Sequence, residues 1–355
     1  MAATIRDVAR LANVSVATVS RLVNKSGNVG AKSAERIERA IAELGFRPNA
    51  VGRSLKTART KALGIVIPSI SNPVFAETVA GISEQARALG YNLMLTVTDY
   101  DLEGEQTAVG ALLGYQVDGL ILTVADPDNS PSLDMLETAS VPYVLVYNQP
   151  SARERPTVTV DNVAAGRDVA RAFASAGHRR LGMIAGSFQA SDRSRARQAG
   201  FVLELEATGF GPPVIREVEF VDSDMDEVMA DLFQAQCQAP TALFCSNDLL
   251  AISVIGALRR RGLRVPDDVS VIGFDGISAG THLSPTLATV VQPSREMGRV
   301  AARQLLGHLS GQAPPETVLL PHHLRLGESA GQAPKPAAAG NQDRSQPMQK
   351  RKTAP

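Results

Sequence analysis

The 355-residue chain balances 36 Lys and Arg against 36 Asp and Glu, yet its first sixty residues hold eleven basic and four acidic side chains, a local +7. A neutral total hiding a basic head excludes a uniformly anionic protein and directs the head at an anionic partner, with duplex DNA first because cations near phosphates release condensed counterions. Two cysteines exclude a disulfide framework, and the five histidines share no ligand spacing with them, so no metal and no cofactor is expected.

Hydrophobic residues make up 44% of the chain and aromatics 4%, with no Trp, so the core must be built from Val, Ile, Leu and Ala. The opening MAATIRDVARLA lacks the basic, apolar and small-residue regions of a secretory signal. No apolar run approaches the roughly 18–20 residues that span a bilayer. A reduced, cytoplasmic protein with no membrane partner is expected.

Residues 4–45 read as three short helices. Thr4 with Asp7 forms a capping box ahead of Ile5, Val8 and Leu11, which share one helical face. Asn13 tolerates the left-handed backbone of a tight turn, and Ser15 caps the next helix, 16–24, with Val19, Leu22 and Val23 inward. A third helix over 32–44 turns Ile37, Ile41 and Leu44 inward and ends at Gly45. After Pro48, residues 49–56 read as one more short helix, weakened by about 1 kcal/mol at Gly52. Helices joined by a short turn, with Thr18, Ser20, Arg21 and Asn24 on the polar side of the second, read as a helix–turn–helix. Arg is the side chain best suited to two hydrogen bonds with guanine in the major groove.

From Ala62 the pattern changes. Apolar runs at 63–67, 92–97, 119–123 and 143–147 alternate with helices over 75–89 and up to Tyr115. The cycle restarts at 180–185 and continues through 214–218, 242–245 and 269–274. Such alternation predicts parallel sheets with helices on both faces. The openings KALGIVIP at 61 and RRLGMIAG at 179 resemble each other and predict two similar sub-domains. Residues 331–355, poor in large apolar side chains, read as a disordered basic tail, which leaves 61–330 at −11.

The stretches TIRDVARLANVSVATVSRLVN, LGFRPN and AVGRSLKTARTKALGIVIP resemble the lac repressor/galactose repressor family of bacterial transcription regulators. SNPVFAE (71–77), GHRRLGMIAG (177–186), SNDLLA (246–251) and RVPDDVSVIGFDG (264–276) extend the resemblance over residues 3–327. It implies a helix–turn–helix head (1–47), a hinge helix and linker (48–61), a two-lobed effector-binding and dimerisation domain (62–327), and a tail (328–355). The expected fold is a small all-α head plus an α/β body of two doubly wound parallel-sheet sub-domains, like periplasmic sugar-binding proteins.

Carried over residue by residue, the resemblance implies that Val16 and Ala17 help choose the operator, Thr18 contacts phosphate and Arg21 reads a base. Asn24, Asn28 and Ser33 match further DNA-facing positions, and the hydroxyls of Thr4, Ser15 and Ser20 belong to the same set. Leu55 matches a hinge side chain that wedges between base steps in the minor groove. Gly52, where the family commonly has Ala, is expected to make the free hinge less helical. Gly30 stands where Ser usually caps the third helix, at a cost of a few tenths of a kcal/mol.

In doubly wound folds ligands sit beyond the carboxyl ends of the strands. Asn148, Asn247, Asp248 and Asp275 follow strand patterns in that way, and amides and carboxylates there suit a hydroxyl-rich ligand. Arg195 and Arg197 read as part of a loop leading into a helix, where the family has an effector-binding arginine; Gln292 matches a pocket-edge position. Phe75 and Phe244 offer apolar faces for a ring. Val74 stands where purine-binding relatives have a second aromatic, which disfavours a purine. The expected partners are a near-palindromic duplex operator, a sugar or sugar-acid effector and a second copy of the chain.

Two rivals come from other classes. A solute-binding protein for sugar uptake needs export and no DNA-reading head. An enzyme needs a motif such as GxGxxG after the first strand, GxxxxGK[ST] or HExxH, and none is present. His178, His282, His308, His322 and His323 show no triad pattern, and His322–His323 reads as a surface pair.

Overall fold

A computed structural model of the chain describes residues 3–24, 27–46, 59–220, 223–234 and 239–334. The expected hinge helix with Gly52 and Leu55, Cys237, and most of the expected tail lie outside the described residues. The chain divides into two compact units, a head and a body.

The head holds α1 (Ile5–Leu11), α2 (Val16–Val23) and α3 (Ala31–Leu44). Local chemistry sets each boundary. Thr4 and Asp7 form the reciprocal capping box at α1, and the Ser15 side chain accepts from the Thr18 amide at α2. Asn13 takes φ +49 in the turn between them. Gly30 offers α3 no side-chain cap, and Gly45 ends it in the left-handed region. Val8, Ala9, Ala12, Val19, Ile37 and Ala40 form the small core. One expectation fails here. Leu11 is 45% exposed, whereas Ala12 is buried. α1 ends at Leu11, and it is the small Ala12 that fits beneath the turn.

The body contains two six-stranded sheets. The first, in the order β11-β5-β4-β3-β1-β2, uses β1 (Ala62–Ile67), β2 (Asn92–Val97), β3 (Gly119–Leu122), β4 (Tyr143–Val146), β5 (Thr157–Val160) and β11 (Val318–Leu320). The second, in the order β12-β10-β9-β8-β6-β7, uses β6 (Leu181–Gly186), β7 (Val214–Val218), β8 (Ala242–Cys245), β9 (Ser270–Asp275), β10 (Ala288–Val291) and β12 (His323–Arg325). Apart from the antiparallel β10–β12 pair, the registered pairings are parallel. The central strands are buried end to end and rich in Val, Ile and Leu, as strands covered on both faces must be. β5, β10 and β11 were not among the expected strands.

The helices are α4 (Pro73–Ala88), α5 (Leu102–Gly114), α6 (Pro131–Thr138), α7 (Asn162–Ser175), α8 (Asp192–Ala207), α9 (Met225–Leu232), α10 (Asp248–Arg260) and α11 (Ser294–Leu309). The lobes are interwoven. α11 follows the second sheet in sequence but packs on α4 and the first sheet, and β11 and β12 return to different sheets. Each lobe is braced by a close helix pair. A Cβ on Gly81 would lie 2.0 Å from the Arg295 carbonyl oxygen, and one on Gly200 would lie 2.0 Å from that of Val163, so only glycine permits these approaches.

The two histidines expected as a surface pair differ. The His322 side chain is 12% exposed, with Nε2 3.0 Å from Asp168 Oδ2, while His323 is exposed in β12. His178 is buried among Thr241, Ser270 and the Gly331 carbonyl, and so serves the core. No helix among the described residues is long and apolar enough to cross a membrane.

Candidate functional site

The head presents one face of α2. At 100° per residue, Ala17, Arg21 and Asn24 point away from the buried Val19 and the half-buried Leu22 and Val23, Ser20 lies at the edge of that face, and Val16, two turns before Val23, is exposed at the start of the helix. Arg21 makes no ion pair among the described residues and is exposed. Several hydroxyls of the candidate set already have partners. Ser15 Oγ lies 2.8 Å from Thr18 Oγ1, Ser20 Oγ accepts from Asn24 Nδ2 at 3.1 Å, and Thr4 Oγ1 donates to Asp7. Ser33 Oγ accepts weakly from Arg36 at 3.4 Å. Asn28 is exposed in the loop before α3. The arrangement suits groove contact by Ala17, Arg21 and Asn24, with Ser15 and Thr4 holding the helices in position.

In the body, a cavity lies between the carboxyl ends of the two sets of strands, where the doubly wound topology places ligands. Asp275 ends β9 with φ +118, and its carboxyl is buried. Gln292 Nε2 donates to Asp275 Oδ1 at 2.8 Å, and Asn72 Nδ2 donates to Oδ2 at 3.3 Å. Burial pushes the Asp275 pKa up to about 6, against the opposing pull of Arg197. Gln292 Oε1 is buried without a hydrogen-bond partner, an acceptor suited to a hydroxyl donor. Asn247 lines the cavity while capping α10 through its 2.7 Å bond from the Leu250 amide.

Arg197 donates to Asn162 Oδ1 at 2.7 Å and to the Ser246 carbonyl, and its guanidinium lies 3.4 Å from the Phe274 ring centroid. Burial lowers its pKa to about 10, so it stays charged near neutrality. Phe75 lines the cavity edge-on to Tyr147, at 5.4 Å between ring centroids. Tyr100 and Phe220 stack at 4.0 Å from opposite lobes. The cavity is narrow, with about 30 Å³ of room for ordered water.

Four expected effector contacts lie outside this wall. Arg195 and Arg197 are both in α8, not in a loop, and residues two apart on a helix project to different sides. Arg195 therefore turns to the Phe188 carbonyl and Asp126. Asn148 is fully buried behind the wall, tied to the Val124 backbone and to Asp192. Phe244 is core, packed on Phe201. Asp248 is a buried structural carboxyl: Oδ2 accepts from the Ile277 amide at 2.8 Å and Oδ1 from the Thr289 hydroxyl at 2.6 Å. The residues missed were Asn72, Tyr100, Tyr147, Ser191, Arg193, Ser194 and Phe220. Arg193 was findable, because it stands four residues before Arg197 and so shares its helical face.

Burial raises the Asp248 pKa to about 7, with Asp275 adding repulsion. A carboxyl whose folded pKa exceeds its unfolded value favours the fold below the unfolded value and loses that contribution as pH rises through the folded value. Asn can keep both contacts, donating to Thr289 and accepting from Ile277. Asp248→Asn should therefore raise the melting temperature at about pH 8, with the gain shrinking towards about pH 4. Equal melting curves at both ends of that window would contradict this account.

Two family models match the chain: "Bacterial regulatory proteins, lacI family" over residues 4–49, and "Periplasmic binding protein-like domain" over 170–330. Catabolite control protein A of Priestia megaterium is 33% identical over 335 residues, covering 93% of this chain and 99% of that protein. The ribose operon repressor of Haemophilus influenzae is 33% identical over 305 residues, covering 86% and 91%. The lac repressor dimer bound to operator and the anti-inducer ONPF matches with TM-score 0.82 and 28% identity, over 93% of this chain and all of that one. A complex of the transcriptional regulator CelR with cellobiose matches with TM-score 0.68 and 30% identity, over 92% and 100%.

Proposed function

The chain belongs to the lacI family of bacterial regulatory proteins and is a DNA-binding transcription regulator; from that premise we propose a dimeric cytoplasmic repressor whose grip on a near-palindromic operator is set by a sugar or sugar acid in the body cleft. Residues 1–47 read the DNA, 48–61 form the hinge with Leu55 as its wedge, 62–327 sense the effector and dimerise, and 328–355 are a tail. Arg21 reads a base edge, and Asp275, Gln292, Asn247 and Arg197 hold ligand hydroxyls or a carboxylate.

One observation carries the reading. An exposed helix face carrying Arg21 and a cleft lined by carboxyl and amide acceptors together with two guanidiniums occur in the same chain. Donors and acceptors lining one cavity suit a ligand with several hydroxyls, each of which both donates and accepts. Two of the similar proteins are named for sugars, ribose and cellobiose, which favours the same class.

The test is a thermal-shift panel of matched pairs, glucose with gluconate and galactose with galacturonate, followed by operator titration with each hit. A ligand at a hundred times its Kd should stabilise the body by about 2.7 kcal/mol. The same ligand should change operator affinity by about fivefold or more. A protein that prefers no sequence among genomic fragments at low salt, with or without these ligands, overturns the reading.

A further inference from the structure

The first turn of α8 meets the other lobe as well as the cavity. Asp192 belongs to the second lobe, and its partners belong largely to the first. Its amide donates to the Ala125 carbonyl at 2.9 Å. Its Oδ1 accepts from Asn148 Nδ2 at 3.0 Å and its Oδ2 from the Gln149 amide at 2.7 Å. Arg193 Nη1 reaches the Val124 carbonyl at 3.1 Å and returns to Asp192 Oδ1 at 3.1 Å. Arg195 adds a more exposed pair with Asp126 at 3.0 Å.

These contacts are not the ordinary work of a residue opening a helix. That work falls to Ser191, whose hydroxyl accepts from the Ser194 amide at 3.2 Å. The Asp192 carboxylate is thus left for the opposite lobe. It is 6% exposed, and Asn148 is fully buried. Charge-assisted hydrogen bonds shielded in this way are stronger than average, and removing the shared acceptor leaves several donors unmatched at once. Asn148 is held in turn by the Val124 amide and carbonyl, at 3.0 and 2.7 Å, so the acceptor meets donors already fixed in place.

We propose that Asp192 is the positioning residue of a clasp, made wholly of protein, that holds the two lobes together beside the cavity and sets the closure against which a ligand acts. Ser191, Arg193 and Ser194 line the cavity, so a ligand there touches the same helical turn that carries the clasp.

Hydrogen exchange on the full-length protein, without DNA or added ligand, tests the clasp separately from the regulatory reading. In Asp192→Ala the amides of Gln149 and residue 192 should exchange at least about tenfold faster, while those of β4 and β6 keep wild-type protection. Asp192→Asn keeps one oxygen and turns an NH2 donor towards either the Gln149 amide or Asn148 Nδ2 and Arg193, so exchange at Gln149 or at residue 192 should quicken; its near-identical size makes it the arm to read should the Ala variant not fold. Asp126→Asn, at the exposed edge, should leave Gln149 within about twofold of wild type. Wild-type exchange at both Gln149 and residue 192 in a folded Asp192 variant overturns the proposal. So does equal loss of protection in β4 and β6, because Asp192 would then support the fold as a whole.

Discussion

Arg21→Ala should weaken operator binding by about 1–3 kcal/mol, roughly 5- to 150-fold, and should relax discrimination at one base pair of each half-site. Arg21 lies on the outward face of α2 between Ala17 and Asn24 and makes no ion pair among the described residues. A guanidinium held on a capped helix can present two parallel donors to guanine, which Ala cannot replace. Ala17 offers only a methyl group on the same face, so the loss has no neighbouring substitute. Titrations against the operator and its single-base substitutions, each at two salt concentrations, separate the possibilities. Base reading predicts a loss confined to one position with little change in salt slope. A phosphate contact predicts uniform weakening and a slope reduced by about 0.9. That second pattern would remove Arg21 from the readout.

The elements of the head were legible because each of its boundaries depends on local chemistry. Thr4 with Asp7, Asn13, Ser15 and Gly45 all act within four residues of themselves. The alternation of strands and helices was legible for the same reason, and it also fixed the ends of strands at which Asn247 and Asp275 stand. Long-range features were not. Nothing local says that α11 leaves the second sheet to pack on α4, or that residues 318–325 return one strand to each lobe. The cleft wall was half-read for a subtler reason. Whether a residue beyond a strand faces the cavity depends on a single helical turn: Arg195 and Arg197, expected in a loop leading into a helix, lie within α8, where Arg193 and not Arg195 shares the cavity face with Arg197. Asp248 was misplaced because the acceptor position at the start of α10 serves Thr289 and the Ile277 amide, both distant in sequence.

Asp275→Ala should remove the response at effector concentrations that saturate the wild type and leave operator binding without effector within about twofold, since the side chains proposed to face DNA, Leu55 included, lie outside the body. Asp275 keeps φ +118 at the end of β9, a conformation that costs a non-glycine residue on the order of 1–3 kcal/mol and persists where the surroundings enforce it. They do so here through two amide donors, Gln292 and Asn72, which come from different lobes. Losing the carboxylate removes a charge-assisted acceptor and strands both donors, so a ligand hydroxyl bound there should lose about 1.5–3 kcal/mol, roughly 10- to 150-fold in Kd. Proton linkage supplies an independent signature. Since burial raises this carboxyl to about 6, ligand affinity that depends on its ionised form should fall as pH drops through that value. Asp275→Asn keeps the shape, has no such proton to take up, and should lose that inflection. Calorimetric titration of both variants across this range, beside operator binding of the ligand-free proteins, decides the matter. A folded Asp275→Ala protein that no longer binds operator would mean that the carboxyl holds the DNA-competent arrangement of the body and does not read the ligand.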